Sequence, residues 1–168
     1  DKSTILLDEY IREEEKSILD DITASSRAEL VAVYGRRRVG KTYLIRTYLA
    51  NQINFQYSGL HSVETEVQLQ HFTKALSAQL NTNIPLPTPT DWFVAFELLQ
   101  SLLQKKMRQK KVIIFLDEFP WMQTVKSNFL AAFENFWNNW SSGKNIIAVI
   151  LCGSAASWMI QNVVRNKG

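Results

Sequence analysis

Cysteine is almost missing from this sequence. Cys152 is the one thiol in 168 residues, so no disulfide can close within the chain and the cross-linked framework of small secreted domains is excluded. A reducing, cytoplasmic compartment is the expectation that fits, with Cys152, inside the apolar run IIAVILCG, acting as a small buried hydrophobe. Long hydrophobic runs are missing too. None reaches the roughly 20 residues of a bilayer span, and the N-terminus lacks the basic-then-apolar order of a secretion signal, so no membrane partner is expected. Net charge is small: 19 Lys and Arg against 16 Asp and Glu leave +3, too little to argue for nucleic acid without a local patch. Histidine is scarce, and His61 and His71 lack metal-ligand spacing to each other or to Cys152, which makes them solvated side chains. Proline is concentrated in NTNIPLPTPT, where Pro85, Pro87 and Pro89 forbid regular structure and mark a connector.

What remains is ordinary globular material, 46% hydrophobic and 21% charged, enough for one domain with a sizeable core. Neither an internal repeat nor a second domain is visible, so residues 1–168 read as one unit. The chain opens without Met and stops at Asn166-Lys167-Gly168 soon after a strong strand, as the N-terminal fragment of a longer protein would.

Apolar residues at helical spacing predict a first helix through Ile11, Ile18, Leu19 and Ile22, with Glu13, Glu14 and Glu15 at its start. Leu30 to Tyr34 is a continuous apolar run ended by Gly35, the pattern of a strand buried on both faces. Helix-like stripes follow at Leu44, Ile45, Tyr48 and Leu49, at Leu69, Phe72, Leu76 and Leu80, and from Asp91 through Leu103 into KKMRQKK, whose lysines would suit a last helical turn. Strands are predicted at Ile53–Tyr57, at KVIIFLDE (111–118) and at NIIAVILCGS (145–154). Between the last two, Phe129, Phe133, Phe136, Trp137 and Trp140 line one side of a helix; Trp137 and Trp140 are candidates for an exposed apolar patch. Strands alternating with helices imply parallel pairing through right-handed crossovers, hence a three-layer α/β domain with a mainly parallel sheet.

GRRRVGKT, between strand and helix, is the pattern G-x-x-x-x-G-K-[ST] of a phosphate-binding loop. Such a loop turns backbone N–H groups inward around phosphates, and the following helix adds partial positive charge at its start. Gly35 and Gly40 permit the bends, and Arg36, Arg37, Arg38 and Val39 contribute mainly backbone. Lys41 would reach the β- and γ-phosphates, and Thr42 would give its hydroxyl to Mg²⁺. With Tyr43 these nine residues are the expected nucleotide-binding set. The excess charge of the three arginines would raise the local concentration of an anionic nucleotide.

Farther along, Asp117 ends the apolar strand VIIFLD, placed to hold Mg²⁺ through water, and Glu118 is placed to deprotonate a water attacking the γ-phosphate. Ser154 follows the last strand at the edge where ligands of parallel sheets gather, a sensor of the γ-phosphate or an ordinary helix cap; Ser157 is a weaker candidate. Asp117-Glu118-Phe119-Pro120 lacks the glycine of a GTPase D-x-x-G, and Asn166-Lys167-Gly168 is not N-K-x-D, so ATP is favoured over GTP.

GRRRVGKT, VIIFLDEFPWM and VILCGSAASWMIQNVV together resemble the prokaryotic ATPases called the archaeal ATPase family, close to AAA+ and STAND ATPases, from about Leu6 onward. The resemblance implies ATP and Mg²⁺ as ligands, Lys41 and Thr42 at phosphate and metal, Asp117 at Mg²⁺, Glu118 as base and Ser154 as sensor. It also implies that the strand at Ile146 lies between those at Val31 and Val112, with that at Ile53 beyond. DEYIREEE resembles the family's opening segment near the adenine but lacks its glycine, which weakens any role for Tyr10, Ile11 or Arg12. In the family the chain continues into a lid and further domains, so this chain would be truncated before the lid. Self-association through segments beyond the chain, and nucleic acid as a partner of the whole protein, are left open. The expected activity is hydrolysis of ATP to ADP and phosphate driving a conformational change, or else a nucleotide-gated switch with little turnover. Residues 1–168 alone are expected to turn over slowly, because no arginine finger is evident.

Overall fold

The computed structural model describes residues 2–6, 12–34, 40–80, 82, 84–105, 111–144, 147–154 and 156–164. Five strands form one wholly parallel sheet in the order β1-β2-β5-β4-β3: β1 Lys2–Leu6, β2 Glu29–Tyr34, β3 Ile53–Ser58, β4 Val112–Asp117 and β5 Ile147–Gly153. The helices are α1 Arg12–Ala24, α2 Lys41–Tyr48, α3 Thr65–Gln79, α4 Trp92–Gln104, the short α5 Phe119–Met122, α6 Phe129–Asn139 and the short α7 Ala156–Met159, which runs into a π-helical turn at Ile160–Val164. The β2-β5-β4-β3 succession is the order the resemblance implied. β1, which the sequence reading lacks, pairs outside β2 from Lys2↔Leu30 to Leu6↔Tyr34. Five residues on a sheet edge carry too short a pattern to stand out.

Side chains alternate across a strand, and the two faces of the sheet have separate cores. Leu30, Ile114, Leu116, Val149 and Leu151 face a large cluster with the stripes of α3, α4 and α6. Val31, Val33, Ile113, Phe115, Ile150 and Cys152 face the other way, against Leu19 and Ile22 of α1 and Leu44 and Ile45 of α2. Two of the inner strands, β4 and β5, are buried throughout, as continuous apolar runs require. The larger core is a chain of ring contacts: Phe72 meets Phe55, Tyr57, Trp92 and Phe96, and Phe96 meets Phe129, Phe133 and Phe136.

Three expectations change. Trp137 and Trp140 are buried, because α6 lays its aromatic side on α4 and the sheet, so FWNNW is no exposed patch. The helix from Trp92 ends at Gln104 with Lys105 as its cap, so no lysine lies in its last turn; residues 106–110 lie outside the described residues. Its start is as expected, with the Asp91 carboxylate accepting the Val94 N–H at 2.9 Å. The fourth strand stops at Asp117, one residue short of the expected end, because Glu118 turns to left-handed backbone, φ 49°.

Candidate functional site

β2 and β4 are separated only by β5, and their carboxyl ends bring the two motif regions together. α2 begins at Lys41, preceded by Gly40 at φ 83°, a left-handed conformation that suits glycine, and the first helical bond runs from Leu44 N–H to the Gly40 carbonyl at 2.8 Å. Gly35, Arg36, Arg37, Arg38 and Val39 lie outside the described residues. Lys41 is 6% exposed, unusual for a lysine, which is seldom buried without a partner for its charge.

Alternation along β4 puts Asp117 on the same face as Ile113 and Phe115, the face that carries α2. There the Thr42 hydroxyl donates to Asp117 Oδ2 at 2.9 Å. The Glu118 N–H donates to the other oxygen, Oδ1, at 2.8 Å, so both oxygens of a carboxylate only 5% exposed are held. A hydroxyl and a carboxylate at hydrogen-bond distance are hard oxygen donors of the type Mg²⁺ takes, completed in phosphate sites by waters and phosphate oxygens. Among the described residues no group of three or more His, Cys, Asp or Glu is placed to hold a metal by itself. The Thr42 hydroxyl and Asp117 carboxylate are oxygen donors of the kind that fits a metal shared with phosphate.

Cys152 lies on β5 in register with Val33 and beside this pair. Burial first, then the Asp117 carboxylate, push its thiol well above the ordinary range, while Lys41 pulls the other way. The thiol stays protonated, a buried small side chain as its sequence context suggested.

Glu118 is partly buried, and its left-handed backbone is uncommon for a residue with a side chain, a strain of about 1–3 kcal/mol that surrounding contacts must hold. Its carbonyl accepts the Trp121 N–H at 3.0 Å, closing the first turn of α5. Ser154 is half-buried at the end of β5, between the strands leading to the two motifs. Gly153 beside it lacks room for a side chain: a Cβ would stand 2.7 Å from Pro120 Cδ. Ser157 falls in α7 and Arg12 opens α1, but their side chains, and Tyr10 and Ile11 altogether, lie outside the described set. Tyr43, on the first turn of α2, is 70% exposed and lines a groove of about 280 Å³ with Lys16, Leu44, Thr47 and Tyr48. His61 and His71 are exposed; the His61 ring lies 4.8 Å from that of Trp121.

Two residues at this edge escaped the sequence reading. Gly59, just past the strand expected at Ile53–Tyr57, donates its N–H to the Asp117 carbonyl at 2.9 Å, and a Cβ there would stand 2.5 Å from the Glu118 carbonyl oxygen. Gln68, outside the apolar stripe expected at Leu69, Phe72, Leu76 and Leu80, is fully buried, and its spacing to Phe72 and Leu76 is the signal that could have found it.

Among the described residues no helix is long and apolar enough to cross a membrane. An uncharacterised protein of Methanocaldococcus jannaschii is 30% identical over 156 residues, 93% of this chain and 32% of that protein. An uncharacterised ATP-binding protein of the same organism is 46% identical over 41 residues, 24% of this chain and 70% of that protein. The fold is similar to that of a Walker-type ATPase of Pyrococcus abyssi, with a TM-score of 0.62 and 17% identity over 92% of this chain and 48% of that one. It is also similar to the Aeropyrum pernix ORC2 protein, solved as ADPNP–ADP complexes, with a TM-score of 0.56 and 18% identity over 92% of this chain and 43% of that one. The chain thus spans about a third of the first relative and under half of each solved chain. With residues 10–168 matched, the chain belongs to the family of ATPase domains found predominantly in Archaea.

Proposed function

We propose that this ATP-binding domain takes ATP with Mg²⁺ at the carboxyl edge of the sheet and hydrolyses it to ADP and phosphate, using the cycle to drive a conformational change in the AAA+ and STAND manner. The observation that carries the reading is the bond from Thr42 to Asp117. A hydroxyl on the first turn of α2 and a carboxylate at the end of β4 meet there, two oxygen donors that would suit Mg²⁺.

Each residue then has a distinct part. The loop from Gly35 to Gly40 gives backbone N–H groups to the phosphates, and Lys41 brings a cation to the β- and γ-phosphates. Tyr43 borders the nucleotide at the start of α2. Thr42 and Asp117 would hold Mg²⁺, which would supply positive charge against the phosphate oxygens. Glu118 accepts the proton of the attacking water, and Ser154 hydrogen-bonds the γ-phosphate or that water.

Glu118→Gln separates these parts, since the amide keeps the shape but cannot take a proton. In the whole protein, binding of Mg-ATP should persist while hydrolysis falls by about 10²–10⁴, the usual effect of losing a general base. Measured as free phosphate from bound ATP, an unchanged rate would remove Glu118 from the chemistry. Tight binding with almost no turnover in the whole wild-type protein would favour a nucleotide-gated switch.

A further inference from the structure

Gln68 shares a face of α3 with Phe72 and Leu76 and is fully buried, yet its amide is fully bonded. Oε1 accepts from the Tyr57 hydroxyl at 2.8 Å and from the Leu60 N–H at 2.7 Å. Nε2 donates to the carbonyls of Leu60 at 3.0 Å and Trp121 at 3.1 Å. Two acceptor sites and two N–H groups are the full capacity of a glutamine amide. If the position only filled space, an apolar side chain would serve without the desolvation that a polar group brings.

The segments that Gln68 joins lie on either side of the Glu118 peptide. Leu60 follows Gly59, whose N–H bonds the Asp117 carbonyl at 2.9 Å and whose missing side chain makes room for the Glu118 carbonyl. Trp121 donates its own N–H to that same Glu118 carbonyl at 3.0 Å. The His61 ring against the Trp121 indole adds a second tie between the two segments. Glu118 at φ 49° is therefore held between two stretches of backbone, and one buried amide fastens both.

We propose that Gln68 is a positioning residue for hydrolysis: by joining Leu60 to Trp121 it fixes the left-handed backbone from which the Glu118 carboxylate reaches the attacking water. The proposal rests on the reading of Glu118 as the general base. The amide does not touch the Thr42–Asp117 pair, so its loss should act on the chemical step and spare nucleotide binding.

The test uses Gln68→Glu, Gln68→Ala and Tyr57→Phe, each held at a temperature where circular dichroism shows the wild-type fold. Mg-ATP affinity is measured by equilibrium titration, and the chemical step by single-turnover hydrolysis of labelled ATP by the whole protein at saturating protein concentration. Gln68→Glu keeps both acceptors but turns a lone pair toward the Leu60 and Trp121 carbonyls. Tyr57→Phe removes one hydroxyl that orients the amide and leaves the packing, so it remains informative if both Gln68 variants fail to fold. The rate should fall by about tenfold or more in the Gln68 variants, and by a smaller factor in Tyr57→Phe, with affinity within about threefold of wild type, because small displacements of a catalytic group cost rate steeply. Wild-type rates in every folded variant would overturn the proposal, and so would affinity and rate falling in step. Glu118→Gln is run alongside. If it hydrolyses ATP normally, the general-base reading itself has failed; if it is inactive while the Gln68 variants are normal, only the positioning role has failed.

Discussion

The Thr42 hydroxyl donates to the Asp117 carboxylate across 2.9 Å, although the two residues lie 75 apart in the chain. Parallel pairing through β5 brings the end of β4 beside the start of α2, and alternation along β4 turns Asp117 toward that helix.

Asp117→Asn keeps the shape of this contact and removes its charge. Losing a charge-assisted bond costs about 1.5–3 kcal/mol, or roughly 10- to 100-fold in Kd. ATP affinity measured with Mg²⁺ and with a chelator should differ strongly for the wild type and little for Asp117→Asn. An undiminished Mg²⁺ effect in the variant would take Asp117 out of the metal site.

Gly59→Ala places a Cβ 2.5 Å from the Glu118 carbonyl oxygen and 2.9 Å from Met122 Cγ. The methionine can rotate away, but the backbone oxygen cannot move without Glu118. Overpacking of this kind costs about 1–3 kcal/mol, which should appear in chemical unfolding, and hydrolysis should fall more than Mg-ATP affinity. Wild-type stability with wild-type turnover would show that the two strand ends are not tightly apposed.

Burial raises the ionisation of Tyr57 well above its ordinary value of 10.0. In the unfolded chain the phenol loses its proton from about that value upward, while the folded protein keeps it neutral. The stability tied to this group is therefore complete below about pH 10 and declines as pH rises beyond it. At pH 8 Tyr57→Phe should be less stable by about 1 kcal/mol through its lost hydrogen bond, and the gap to wild type should narrow above pH 10. Urea unfolding at both pH values checks the sign; a widening gap would contradict it.

Much of the fold is legible in the sequence. Period and punctuation mark four of the five described strands, β2 to β5, and most of the helices, since continuous apolar runs and aromatic stripes report burial directly. Gly35 through Thr42 and the Asp117-Glu118 pair stand out because they match the residue pattern of phosphate-binding sites. Gly59 and Gln68 do not, because their role comes from contact with a segment some sixty residues away along the chain. The left-handed turn at Glu118 was equally hidden: DEF reads as strand continuing into loop, and only the packing of Gly59 and the Trp121 N–H around its carbonyl shows why the strand stops. Trp137 and Trp140 were misjudged for the converse reason, since two aromatics near asparagines resemble an exposed patch until α4 is laid against them.

The most direct measurement is equilibrium titration of Mg-ATP against the wild type and Lys41→Ala. Lys41 opens α2 beside the Thr42–Asp117 pair, and its ammonium is the cation assigned to the β- and γ-phosphates. Two charge-assisted bonds at about 1.5–3 kcal/mol each predict affinity weaker by roughly 100-fold or more, with the circular dichroism spectrum unchanged. Wild-type affinity in Lys41→Ala would contradict the placement of the nucleotide at this edge of the sheet.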